Sequence, residues 1–269
     1  MSPSSTHPSE HQKAVLVTGA GKRLGREIAL QFARQGWDVA VHYGRSQLEA
    51  EKTVAEIQGL GMRSSAFQAD LAIEDSVGSL FAEVSRQFPH LHCLVNSASI
   101  FQYDRANSNT PLSGKSLLDH MQVNLLAPIL LAQCMFAFQR EQKQTPDLVP
   151  SVIQLLDQKL INLNPDYLSY TLSKAALASS VEALAMDFAP YLRVVGLAPG
   201  ITLLSGDQSQ QGFTQAHKMT PLGKSSTPAD IASAAVFLAN ANAITGTTLY
   251  VDGGQHLLPS SRDVMFKTN

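Results

Sequence analysis

Tyr170 and Lys174 stand four residues apart in a helical pattern running from Tyr167 to Phe188, so both side chains leave the same helix face. A phenol with an ordinary pKa near ~10 gives up its proton reluctantly at neutral pH, and a neighbouring cation eases this by stabilising the phenolate. The pair is a candidate acid carrying its own ammonium group. The Tyr-x-x-x-Lys spacing is weak evidence on its own, because any exposed helix can present it.

A second candidate is the run Val17-Thr18-Gly19-Ala20-Gly21-Lys22-Arg23-Leu24-Gly25. It joins an apolar run, Ala14 to Val17, to a helical repeat of Leu24, Ile28 and Phe32. At such a junction backbone N–H groups and the helix dipole favour a pyrophosphate, as in dinucleotide loops. The spacing is not G-x-G-x-x-G, and tight turns use glycine anyway, so the position after the first strand carries the reading.

The next strand ends in His42-Tyr43-Gly44-Arg45-Ser46, with no acid before Glu49. A carboxylate at that point would bond a ribose 2′-hydroxyl, whereas Arg45 and Ser46 suit a 2′-phosphate. NADPH is therefore favoured over NADH, although Arg45 in isolation would read as a solvated surface arginine.

These groups need a scaffold, and the pattern supplies one. Further strands are expected at Trp37 to His42, Ser64 to Gln68, Leu91 to Asn96, Ser151 to Leu156, Arg193 to Leu197 and Thr248 to Val251, with helices such as Leu48 to Ile57 between them. The alternation predicts an α/β fold, a doubly wound parallel sheet of about seven strands of the Rossmann type. Thr227, Pro228 and Asp230 signal the start of the last helix, and Ile231, Ala234 and Leu238 its buried face. We expect a single domain over residues 13–258, a disordered polar tail over 1–12 and a C-terminal tail over 259–269. Glu141 to Pro150 reads as a surface insertion, and Ser205 to Pro221 as an irregular, mobile lid.

The 20 basic and 22 acidic residues leave a net charge of -2, which offers no electrostatic footprint for nucleic acid or an anionic membrane. A small-molecule substrate is the expected partner. Cys93 and Cys134, both in apolar segments, suit a reducing compartment, and with no signal-like stretch in Met1 to Lys13 the expected location is cytoplasmic. The longest apolar stretch, Leu125 to Phe138, is broken by Pro128 and Gln133 and falls short of the roughly 20 residues that span a bilayer. His92 and Cys93 alternate across an extended segment, so their cluster with His90 predicts no metal site.

Over Lys13 to Gly254 the sequence resembles the short-chain dehydrogenase/reductase family. The resemblance rests on Thr18-Gly19 with Gly25, Asp70-Leu71, Asn96-Ser97-Ala98, Asn124, Tyr170-Thr-Leu-Ser-Lys174, Pro199-Gly200 and Asp252-Gly253-Gly254, all in family order. It implies that Tyr170 donates the proton, that Lys174 holds the nicotinamide ribose and lowers the tyrosine pKa, and that Asn124 supports a relay water. Gly19, Leu24 and Gly25 would hold the pyrophosphate, and His42, Tyr43, Arg45 and Ser46 the 2′-phosphate side. Asp70 and Leu71 would lie at the adenine, Asn96 and Ala98 beside a ribose, and Pro199, Gly200, Ile201 and Thr202 along the carboxamide. Dimers or tetramers are expected.

Two departures from the family pattern point to the substrate. Arg23 replaces the middle glycine of Thr-Gly-x-x-x-Gly-x-Gly, and Asp157, thirteen residues before Tyr170, replaces the usual serine. An ionised carboxylate there would repel a developing alkoxide, whereas a carboxyl group suits a C=N bond whose nitrogen must gain a proton. Arg23 can also donate to an oxo or ring-nitrogen group, and Phe101 can stack on a flat ring, although a lone aromatic after a buried strand is more often core.

Together with His42-Tyr-Gly-Arg-Ser46 and Asn96-Ser-Ala-Ser-Ile-Phe101, these residues resemble the pteridine reductase branch, including the dihydromonapterin reductases. That resemblance implies a pterin between nicotinamide and Phe101, with Arg23 and Ser99 touching both ligands and Asp157 and Tyr170 at the reacting bond. Ser97 departs from the usual Asn-Asn-Ala, and residues 203–220 show no assignable pattern. A ketone reductase acting on a 3-oxoacyl or other carbonyl substrate is the alternative. A non-catalytic NADPH-binding regulator is a third, which the intact Asn124, Tyr170 and Lys174 oppose.

Overall fold

The computed structural model describes residues 13–107, 109, 111–142, 148–204 and 208–268. The strands are β1 (Ala14–Val17), β2 (Asp38–Tyr43), β3 (Ser64–Gln68), β4 (Leu91–Asn96), β5 (Ser151–Leu155), β6 (Arg193–Pro199) and β7 (Thr248–Val251). They form one seven-stranded sheet in the order β3-β2-β1-β4-β5-β6-β7, and all six pairings are parallel. The order reverses between β1 and β4. Chain connections leave in opposite directions at that point and open a crevice beyond the carboxyl ends of the strands.

The helices are α1 (Arg23–Arg34), α2 (Gln47–Gly59), α3 (Glu74–Gln87), α4 (Gly114–Met121), α5 (Ala127–Glu141), α6 (Leu168–Phe188), α7 (Gln210–Lys218) and α8 (Pro228–Asn240). Alternation along β1 sends Val15 and Val17 into one core with Ile28, Phe32 and Ile231, and Leu16 into another with Leu131, Met135 and Leu177. Helices therefore cover both faces of the sheet, which explains why strand sequences such as Ala14 to Val17 are apolar throughout. The α8 start is a full capping box: Thr227 Oγ1 accepts from Asp230 N–H at 3.3 Å, and Thr227 N–H donates to the Asp230 carboxylate at 2.8 Å.

Four expectations change. The irregular lid Ser205 to Pro221 contains α7, which Ser209 caps by accepting from Gly212 N–H; residues 205–207 lie outside the described residues. The helix expected from Tyr167 begins at Leu168, because Tyr167 is itself left-handed at φ 54. The Leu125 to Phe138 stretch belongs to a longer helical run, Gly114–Glu141, of 28 residues, which by length and composition alone could cross a membrane; Leu131, Ala132 and Met135 of this run pack into the core beneath the sheet. The C-terminal segment folds back over the crevice and is no separate tail, with Met265 packed on Tyr167 and Tyr170. The expected tail over 1–12 and residues 143–147 of the insertion over 141–150 lie outside the described residues.

Candidate active site

The sheet reversal holds a crevice of about 1100 Å³. At its floor the chain turns from β1 into α1 with Gly19 at φ 67. A Cβ on Gly25 would sit 2.4 Å from Gly19 O, and one on Gly19 would meet Ala98 Cα at 3.0 Å, so only glycine permits this approach. No side chain caps α1 and no acid lies in its first turn, so its leading N–H groups face the crevice unneutralised. Lys22, Arg23, Leu24 and Gly25 all line the opening. This cradle fits a pyrophosphate.

Arg23 takes the left-handed conformation, φ 54, that the family assigns to glycine. A side chain there is strained, and the guanidinium donates to Leu204 O at 2.9 Å. It thereby joins the cradle to the loop after β6, where Pro199, Gly200, Ile201 and Thr202 line the opposite wall.

His42 differs from the expectation. Its ring borders the crevice but is buried, and both nitrogens are engaged within the protein. Nδ1 accepts from Gly19 N–H at 3.1 Å, which leaves Nε2 as the donor to Ala69 O at 3.2 Å. Burial pushes its pKa down to about 4, so the ring is neutral. His42 thus clamps the glycine turn rather than offering a free side chain to a phosphate. Tyr43, Arg45 and Ser46 continue along the same wall, Arg45 exposed and Ser46 leading into α2. Asp70 and Leu71 complete that end, and Asp70 Oδ1 accepts from Ala72 N–H at 3.0 Å.

Two predicted contacts turn elsewhere. Asn96 is buried, and its Nδ2 donates to Gln154 Oε1 at 3.0 Å and to Pro128 O at 3.2 Å. It ties β4 to β5 and α5 instead of flanking a ribose. Asn124 sits in a π-helical turn, Gln122–Leu126, between α4 and α5. Its Oδ1 accepts from Ile100 N–H at 2.9 Å and Ser99 Oγ at 3.1 Å. Its Nδ2 donates to Ile100 O at 3.0 Å and Ser173 Oγ at 3.1 Å. The side chain is committed to pinning the loop that carries Ser99 and Phe101. Ala98 and Ser99 line the crevice, and Ala98 N–H donates to Thr18 Oγ1 at 3.0 Å.

The candidate reacting groups gather at the ends of β5 and α6. Tyr170 Oη donates to Asp157 Oδ2 at 2.9 Å. Burial raises the Asp157 pKa, against the Lys159 backbone N–H and ammonium, which lower it. Lys174 Nζ donates to Leu155 O at 2.6 Å and lies 6.0 Å from the Tyr170 ring centroid. Burial lowers the Lys174 pKa to about 8. Burial first, then the Asp157 charge and hydrogen bond, push the Tyr170 pKa well above the usual phenol range. The two groups share one buried hydrogen bond, and burial shifts both toward their protonated forms.

Phe101 is 43% exposed and faces this pair. One side stacks on Tyr167, with centroids 4.1 Å apart and planes 16° apart, and Tyr170 meets it edge-on at 4.8 Å. Tyr167, Lys159, Asp263 and Met265 join this site without any signal in their local sequence. Lys159, Asp263 and Met265 line the crevice with Tyr170. Among the described residues no group of three His, Cys, Asp or Glu side chains is placed to hold a metal ion.

Residues 19–256 match the family model described as Enoyl-(Acyl carrier protein) reductase. The 3-oxoacyl-[acyl-carrier-protein] reductase of Staphylococcus aureus is 34% identical over 265 residues, covering 91% of this chain and 98% of that protein. The 3beta-hydroxysteroid dehydrogenase 1 of Eggerthella lenta is 30% identical, covering 92% and 95%. FolM alternative dihydrofolate reductase 1 from Brucella canis, solved in complex with NADP, superposes with a TM-score of 0.84 at 33% identity, covering 94% of this chain and 97% of that one. The chain belongs to the short-chain dehydrogenase/reductase family, and it is an oxidoreductase of that family. Within the family, the FolM likeness supports the pteridine reductase-like branch.

Proposed function

We propose that this protein is an NADPH-dependent reductase of a C=N bond in a pterin or dihydropterin. The observation that carries the reading is the Asp157–Tyr170 hydrogen bond at 2.9 Å beside the open face of Phe101. When bound, NADPH supplies a hydride, which the carbon of the C=N bond receives. The nitrogen takes the bond's electron pair and needs one proton. Asp157, whose pKa burial raises, and Tyr170, held protonated beside it, are the two groups that can give the nitrogen this proton. Phe101 offers its ring face to the heterocycle, and Gly19, Leu24, Gly25, Arg45 and Ser46 hold the cofactor's phosphates. Arg23 and Ser99 stand where the two ligands meet. The NADP complexes of the FolM structures support the cofactor assignment, and their description as dihydrofolate reductases supports a related heterocycle.

The second reading is a ketone reductase, favoured by the 34% identity to a 3-oxoacyl reductase. Asp157 counts against it only when ionised, because the product alkoxide would then form beside a carboxylate. NADPH oxidation measured with dihydrobiopterin, dihydromonapterin and an acetoacetyl thioester separates the two. We expect turnover of a dihydropterin; a strong preference for the thioester overturns the reading. A homo-oligomer, dimer or tetramer, belongs to the same reading, supported by the exposed Leu172 and Met186 on α6. A monomer in light scattering would contradict it.

A further inference from the structure

The segment after β7 has no role in the chemistry described above, yet it closes one side of the crevice. Asp263, Val264 and Met265 line the same opening as Asp157, Tyr170 and Phe101. A short 3-10 turn, Val264–Phe266, starts where Asp263 Oδ1 accepts from Met265 N–H at 3.1 Å.

The anchor for this segment is Asp166, whose side chain is fully buried just before α6. Its Oδ2 accepts from Arg262 Nε and from Asp263 N–H, both at 2.8 Å, and its Oδ1 accepts from Tyr103 Oη at 3.4 Å. A buried carboxylate with charged and neutral donors on both oxygens is a specific and stiff attachment. Phe266 packs against Tyr103 with ring centroids 5.2 Å apart, and Arg262 lies over the Phe266 ring at 4.7 Å.

The segment touches both parts of the proposed substrate site. Met265 Sδ receives the Tyr167 hydroxyl at 3.3 Å, and Tyr167 is the ring on which Phe101 stacks. Asp263 lies 3.9 Å from Lys159 Nζ, and Lys159 N–H donates to Asp157 Oδ1 at 2.9 Å. One short stretch of chain thus braces the aromatic platform and sits beside the acid pair.

We infer that Arg262–Thr268 is a strap that forms one wall of the substrate pocket and sets its selectivity for a flat ring. The selectivity clause rests on the proposed C=N reduction, while the wall does not. Met265 is buried, so trimming it leaves a void behind Tyr167 into which that ring and Phe101 can tilt. Misplacing a stacking surface by about 1 Å is enough to cost roughly tenfold to a hundredfold in a reaction that depends on orientation. The cofactor cradle lies on β1 and α1 and has no contact with the strap among the described hydrogen bonds and ion pairs.

The test compares wild type with Met265→Ala, Arg262→Gln and Asp263→Asn. Affinities for NADP+ and, in NADP+-saturated protein, for biopterin and acetoacetyl-CoA are measured by titration. Met265→Ala and Arg262→Gln should weaken biopterin at least tenfold, leave NADP+ within twofold, and shift the biopterin-to-thioester ratio toward the thioester. The retained NADP+ affinity shows that a variant has folded. Unchanged affinity for both substrate probes, in variants that bind NADP+ normally, overturns the strap. If wild type binds only the thioester, the C=N reading and the flat-ring selectivity fail together, and the loss or retention of thioester affinity in the variants decides the wall.

Asp263→Asn supplies a readout that simple loosening would not move. Lys159, Tyr170, Lys174 and Asp263 are the titratable groups around Asp157, and the Asp263 charge raises both Asp157 and Tyr170. Removing that charge should move the alkaline fall of kcat/KM, measured on whichever probe wild type turns over, to lower pH. An unchanged profile overturns the electrostatic part of the strap's role.

Discussion

Acid should loosen this protein through His42 in a way that one substitution isolates. The ring is neutral in the fold, with its pKa pushed down to about 4, whereas an unfolded histidine titrates near 6.5. The unfolded chain therefore binds the extra proton first as pH falls. The stabilisation is fully present above about 6.5 and is lost as pH drops toward about 4. Fully expressed, the difference is about 3 kcal/mol, and linkage places about 2 kcal/mol of it between pH 7 and pH 5. His42→Gln keeps a neutral side chain at the position and removes the titration. Urea unfolding of both proteins at pH 7 and pH 5 is the assay. The wild-type midpoint should fall by roughly 1 M more than the variant's, for a slope of about 2 kcal/mol/M. His92 and His217, whose pKa values burial also lowers, remain in both proteins and cancel in the difference. Parallel pH dependence in the two proteins would refute the neutral clamp, since accepting from Gly19 N–H requires an unprotonated Nδ1.

Four further outcomes follow from the site. Tyr170→Phe removes a proton source without touching the cradle, so kcat should fall about 100-fold or more while the Kd for NADPH holds; near-normal turnover would contradict the role. Asp157→Ser should impair dihydropterin reduction more than any ketone side activity, and equal losses in the two kcat/KM values would remove the argument from Asp157. Arg45→Ala should narrow the preference for NADPH over NADH, read as the ratio of the two Kd values; an unchanged ratio would count against its contact with the 2′-phosphate. Gly25→Ala places a Cβ 2.4 Å from Gly19 O and should weaken NADPH binding at least tenfold, checked by fluorescence titration against wild type.

The sheet was legible because strands such as β1 and β4 are mostly apolar on both faces, and the last helix announces its start through Thr227, Pro228 and Asp230. Asp157 and Tyr170 were legible as a pair because the family register fixes their separation, and the fold brings them to 2.9 Å. Asn96 was misread, although strand alternation held the correction: it shares a face of β4 with Leu94, which is buried in the core beneath the sheet. The side-chain partners of Asn124 were hidden for a different reason. Its four hydrogen bonds run to Ser99, Ile100 and Ser173, and nothing in local sequence reveals such distant partners. The same holds for Asp166 and the chain end. Residues 96 and 97 positions apart meet there, so only the apolar run Val264 to Phe266 in a polar stretch hinted that the segment is covered.

Arg23 spends its guanidinium on Leu204 O, across the mouth of the crevice from the cradle that holds its backbone. The strained residue is therefore a thermodynamic link between two walls. Any ligand oxygen that draws this guanidinium away must release the loop after β6, and a ligand resting on that loop must in turn set how readily the guanidinium is released. Because such coupling is reciprocal in binding free energy, the factor by which cofactor changes substrate affinity equals the factor by which substrate changes cofactor affinity. Arg23→Gly, which relieves the backbone strain and cuts the link, should bring that common factor toward one in paired titrations.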